Sequence, residues 1–222
     1  MISNDMESRM NGQVNMELYS AYFYLALSSR AESGSLRGVS DWFMAKHFEE
    51  QAHAMKMYRY LKNQDAEVSL QPVAAPPADD LTVLQMLEAT LAHEREVTVA
   101  IHGLVDHALA EKDHATSIFL QWFVTEQIEE EATVSDIIAQ LRLVGDRGEG
   151  LYMIDKELGG LAAQMSQAPA ASSTWAAGCG CSATSRRACS CSTRSSAAWP
   201  QPWPKRAQPA RRLPRPDATH RG

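Results

Sequence analysis

The first 160 residues contain no cysteine; the four in the chain, Cys179, Cys181, Cys189 and Cys191, all come later. A fold over 1–160 therefore needs no disulfides and suits a reducing compartment. The same stretch has only three prolines, Pro72, Pro76 and Pro77, and no strand-like alternation of apolar and polar residues. That excludes a sheet-rich fold and leaves long helices. Cations are scarce as well, with 12 Lys and Arg against 26 Asp and Glu. No apolar stretch approaches the length of a membrane span, and "MISNDMESRM" lacks the charged-then-apolar pattern of a secretory leader. These absences point to a soluble, cytoplasmic protein with no membrane partner.

Past Gly160 the composition reverses. Residues 161–222 hold nine Lys and Arg, a single acid (Asp217) and seven of the ten prolines, in an Ala/Ser/Arg/Pro-rich sequence. The chain thus divides into a helical domain over 1–160 and a low-complexity tail over 161–222. The tail shows no apolar periodicity and is expected to be disordered. Its "CGC" and "CSC" spacings do not match a zinc knuckle. Its charge implies no specific nucleic-acid partner.

Within 1–160 the expected fold is all-α. The first helix runs from about Asp5 to Ser33 and stops at Gly34. The second reaches about Gln64. The proline-bearing stretch "DAEVSLQPVAAPPADD" (65–80) is an extended connection. A third helix follows the acids Asp79 and Asp80 and reaches about Glu111. A fourth follows Lys112-Asp113 and reaches about Val144, and "LYMIDKEL" (151–158) is a short fifth. Two short links imply two antiparallel hairpins, and the long link crosses the length of a four-helix bundle.

Each long helix carries one apolar stripe at steps of three and four. The stripes read Met10, Val14, Glu17, Ala21, Tyr24, Ser28; then Phe43, His47, Glu50, Ala54, Met57, Leu61. The third reads Leu84, Leu87, Leu91, Glu94, Thr98, Ile101, Val105, and the fourth Leu120, Phe123, Gln127, Glu130, Val134, Ile137, Leu141. A glutamate interrupts each one near its middle. A single such glutamate is ordinarily an edge residue with a solvated head. Four at one level of a bundle form a buried anionic layer, and none of the stripes as traced carries Lys or Arg. Unpaired buried carboxylates are costly. Two divalent cations would balance four of them, with His53, three residues after Glu50, as a neutral nitrogen ligand. His93, His102, His107 and His114 match no acidic stripe and read as surface or structural, and Met55 and Met57 as packing residues.

Taken together, "VNMELYSAYFYL" (14–25), "FEEQAHAMKMYRYL" (48–61), "LAHE" (91–94) and "TEQIEEE" (125–131) resemble the four helices of a bacterial non-haem ferritin. "LYMIDKELG" (151–159) resembles the fifth helix of that family. The resemblance implies a ferritin-like four-helix bundle with one long crossover and a short fifth helix. It also implies a site. Glu17, Glu50 and His53 would hold one iron and Glu50, Glu94 and Glu130 the other, with Gln127 beside the second. Glu49, Glu126 and Glu129, with Glu130, would frame a third iron, and Tyr24 would be the family's tyrosine near the site. Gln127-x-x-Glu130 stands where rubrerythrins and bacterioferritins carry a second Glu-x-x-His. Gln51 stands where bacterioferritins carry a haem-binding methionine, so no haem is expected.

The function implied is iron storage by a ferroxidase. Fe(II) would be oxidised by O2 or H2O2 and kept as mineral inside a shell of about 24 subunits. Two other readings are a rubrerythrin-like di-iron peroxidase and a bundle that merely buffers cations. Under the ferritin reading, a tail of this length on every subunit would crowd the cavity or its pores.

Overall fold

The computed structural model describes residues 2–77 and 80–167. Five helices follow one another: α1 (Asn4–Ser33), α2 (Arg37–Asn63), α3 (Val83–Ala110), α4 (His114–Val144) and α5 (Gly148–Gln167). α1 pairs with α2, α3 pairs with α4, and α5 packs chiefly on α2. The extended connection after α2 returns the chain to the start of α3, as the prolines required. The Asn11 side chain on α1 pins it, donating to the Glu67 carbonyl at 2.9 Å and accepting from the Ser69 N–H at 2.8 Å.

Side chains at the helix starts satisfy otherwise unpaired backbone donors. Ser3 accepts from Met6 N, and Asp113 from Thr116 N at 3.0 Å. For α3 the expected Asp79 lies outside the described residues, and the expected Asp80 does not cap the helix. Thr82 and Gln85 form a reciprocal capping box, and Asp80 instead meets Arg30 at 2.9 Å.

The helix ends correct another expectation. Gly34 keeps a negative φ of −83°, and it is Ser35 that adopts the left-handed conformation, at φ 60°. Asp65 (φ 56°) and Lys112 (φ 58°) do the same after α2 and α3. At all three ends the next N–H reaches back five residues: Leu36 to Ala31, Ala66 to Leu61 and Asp113 to Ala108, at 2.8–3.0 Å. The paired long and short bonds of this turn close each helix without a glycine.

α5 is longer than the sequence suggested. It continues through Gln167, with Ala162 buried and Leu161 and Met165 packed on the core. It lies so close to α2 that a Cβ on Gly38 would stand 1.6 Å from the Asp155 carbonyl oxygen. The Asp155 carboxylate also accepts from Val39 N at 3.0 Å, in the first turn of α2, where an anion is favoured. The expectations for the four cysteines and the rest of the tail lie outside the described residues. Among the described residues no helix is long and apolar enough to cross a membrane.

Two apolar clusters fill the bundle. One holds Tyr24, Leu27, Phe43, Leu87, Val134 and Leu141; the other holds Met10, Val14, Met57, Ile101, Leu120 and Phe123. On every long helix the interrupting glutamate falls between the members of one cluster and the members of the other. The fold therefore sets a polar layer across the middle of an apolar interior.

Candidate metal centre

Glu17, Glu50, Glu94 and Glu130 are each at most 4% exposed, one from each long helix. Their partners differ. Gln13, one turn before Glu17 on α1, donates to it at 2.9 Å. The buried Tyr24 hydroxyl donates to Glu94 Oε1, and Gln127 Nε2 donates to Glu94 Oε2 at 3.1 Å. His53 Nδ1 lies 3.3 Å from Glu50 Oε2 and 3.9 Å from Glu17 Oε2. Glu17, Glu50 and His53 each offer one ligand atom within 4.8 Å of the others, and all three are buried. Two buried carboxylates and one buried imidazole form a hard, oxygen-rich donor set suited to iron or manganese.

Glu130 meets a charge that lies off the traced stripe. Lys46 is buried, its Nζ 2.5 Å from Glu130 Oε1 and 2.7 Å from Glu49 Oε2. The step along α2 from Phe43 to Glu50 passes through Lys46, not His47. His47 is only half-buried and contacts the Ala21 carbonyl at 2.6 Å. A step of three and a step of four are both allowed along a stripe. The signal that favoured Lys46 was its spacing of four from Glu50 and three from Glu49.

The electrostatics are those of crowded, desolvated carboxyls. Burial, then the Glu50 charge, pushes Glu17 well above the usual carboxylate range. Burial, then Glu94 and Glu130, does the same to Glu50. Burial raises Glu130 to about 7, with Lys46 opposing and Glu49 and Glu94 reinforcing the rise. Burial and the Glu94 charge raise Tyr24, so its hydroxyl stays a donor. Burial lowers Lys46, but Glu130 and Glu49 outweigh it and keep the ammonium well above lysine's ordinary range.

Residues 7–144 match the ferritin-like domain family. The chain belongs to the ferritin-like family. The bacterial non-heme ferritin of Campylobacter jejuni is 39% identical over 162 residues, covering 73% of this chain and 97% of that one. That of Staphylococcus aureus strain MRSA252 is 35% identical over 159 residues, covering 72% and 96%. An open pore ferritin from the hyperthermophilic archaeon Archaeoglobus fulgidus superposes with a TM-score of 0.70 at 43% identity, covering 72% of this chain and 98% of that one. The chain is of the bacterial non-heme ferritin type, an iron-storage protein with a ferroxidase site.

Within this ferritin the structure gathers the expected site residues unevenly. Glu17, Glu50 and His53 form one group, whereas Glu49 and Glu126 form a second with His53 itself. Glu50 feels the charges of Glu94 and Glu130, but the three do not close into such a group. Glu129 is exposed and joins neither. Glu131, which reads as plain surface charge, accepts from Thr98 Oγ1 at 2.6 Å and meets Arg95 at 3.5 Å. Of the histidines set aside, His93 is buried and contacts Ser20 Oγ at 2.8 Å, a structural role. Met57 is core, but Met55 is 44% exposed and does not pack.

Proposed function

We propose that this chain oxidises Fe(II) at a centre within each subunit and stores the Fe(III) product as mineral inside a shell of about 24 copies. The observation that carries this reading is the buried Glu17–Glu50–His53 group at the level of Glu94 and Glu130. Glu17, Glu50 and His53 would take the first substrate ion, and Glu50, Glu94 and Glu130 the second, with Glu50 shared. Glu49, Glu126 and Glu129 would frame a third position next to Glu130. Their hard oxygens favour Fe(III) over Fe(II), which promotes transfer of electrons to O2 or H2O2.

The surrounding residues orient these ligands. Gln13 holds Glu17, and Tyr24 and Gln127 hold Glu94 from two sides. Tyr24 also stands as an oxidisable phenol against a ligand. Trp122 packs edge-on against the His53 ring at 5.3 Å and is capped by the Lys56 ammonium 3.1 Å from its ring centroid, so the imidazole has little room to turn. No haem is part of this function. The cysteine-free bundle suits a cytoplasmic location.

The test is the initial rate of Fe(II) oxidation in the Glu50→Ala and His53→Ala proteins, with shell size measured alongside. The reading expects assembled shells that have lost the fast phase. Unchanged initial rates overturn it.

A further inference from the structure

Glu17 and Glu94 are met by side-chain amide and hydroxyl donors and Glu50 lies 3.3 Å from the His53 ring, but Glu130 is met by an ammonium. Lys46 is 4% exposed, and a buried lysine is tolerated only where anions hold it. Here two do, one from its own helix α2 and one from α4. Its nitrogen therefore stands between Glu49 and Glu130. A divalent ion shared by those two carboxylates would stand in the same place.

We infer that Lys46 is a tethered cation filling the third metal position, so that each subunit holds two divalent ions tightly and admits a third only by displacing the ammonium. This rests on the two-ion reading given above. Lys46 Nζ lies against both Glu130 oxygens, and a carboxylate has lone pairs on each, so Glu130 can turn one oxygen to the second ion while the other keeps Lys46. A third ion has no such sharing available. It must win Glu49 and Glu130 from a charge already in contact with both, and the remaining oxygens there come from half-buried Glu126 and exposed Glu129. Lysine's flexible stem lets the ammonium swing aside and return, so an ion passing through this position is not trapped. The consequence is a relay point between the oxidation centre and the mineral, not a third stable site.

The test is anaerobic calorimetric titration of the assembled, metal-free protein with Co(II), with bound metal counted after dialysis. The unmodified chain should bind two ions per subunit tightly. Lys46→Gln should bind three, its third-ion affinity rising by about tenfold or more, the scale of one charge-assisted hydrogen bond. Lys46→Arg should stay at two. Three tight ions in the unmodified chain, or two in Lys46→Gln, overturn the role of Lys46. Fewer than two in the unmodified chain overturns the two-ion reading itself. A second measurement needs no variant. An amine-acylating reagent should leave Lys46 unlabelled with two equivalents of Co(II) and label it in large excess; labelling that ignores Co(II) overturns the inference.

Discussion

Gln127 on α4 donates its side-chain amide to both the carboxylate and the backbone carbonyl of Glu94 on α3, each over 3.1 Å. This pair ties the two helices together at the level of the metal centre and fixes the direction in which Glu94 points. Replacing Gln127 with leucine keeps the volume and removes the donor. The metal-free protein should lose on the order of 1.5–3 kcal/mol, the scale for a hydrogen bond to a buried charge, in urea unfolding with a chelator present. An unchanged midpoint and slope would show that Tyr24 alone satisfies Glu94.

Acidity couples the site to stability. Glu17 and Glu50 lie well above the carboxylate range and Glu130 at about 7, raised first by burial. Between the unfolded carboxylate value and these raised ones, the folded protein binds more protons than the unfolded chain. Stability of the metal-free protein therefore falls as pH rises through that window, by up to about 1.4 kcal/mol per pH unit for each such group. Divalent metal should abolish the fall, and Glu130→Gln should lessen it. Thermal midpoints between about pH 5 and pH 8, with chelator and with Co(II), check this. A metal-free midpoint that climbs across the window would contradict it.

The end of α5 sets where the chain can be cut. Leu161, Ala162 and Met165 pack on the core beyond Gly160. Truncation after Gln167 should leave the thermal midpoint unchanged. Truncation after Gly160 should cost on the order of 2 kcal/mol, the worth of the apolar surface removed. Equal midpoints for the two products would show that the last turns of α5 contribute nothing.

Lys112 occupies the left-handed position after α3 at φ 58°. A side chain there costs roughly 1–2 kcal/mol relative to a relaxed backbone, and glycine escapes that cost. Lys112→Gly should therefore raise unfolding stability by about 0.5–1 kcal/mol, after the extra freedom glycine gains when unfolded. A loss of stability would mean that the lysine side chain makes a compensating contact.

Much of this was legible beforehand, and the misses have physical reasons. The stripes were readable because an apolar interior demands spacing of three and four, and every fourth-helix stripe residue from Leu120 to Leu141 is buried. Their glutamates were readable as one layer because each falls mid-stripe. The same two-valued spacing hid Lys46, since either it or His47 could follow Phe43. Thr82 and Gln85 spelled a capping box, but the more acidic Asp79 and Asp80 drew the helix start toward themselves. α5 was cut short because "LAAQMSQ" (161–167) sits in the basic tail by composition, although its apolar residues still reach the core. Glu129 shares an acidic run with Glu130, yet one residue of helical rotation turns it to solvent.

The central claim is that Glu50 is shared between two metal ions, one held with Glu17 and His53 and the other with Glu94 and Glu130. Anomalous scattering from crystals of the full chain soaked anaerobically in Fe(II) tests it most directly. The account predicts two peaks per subunit, flanking Glu50, with one of its oxygens directed to each. A single peak, or metal bound away from Glu50 while these carboxylates keep their present partners, would contradict it.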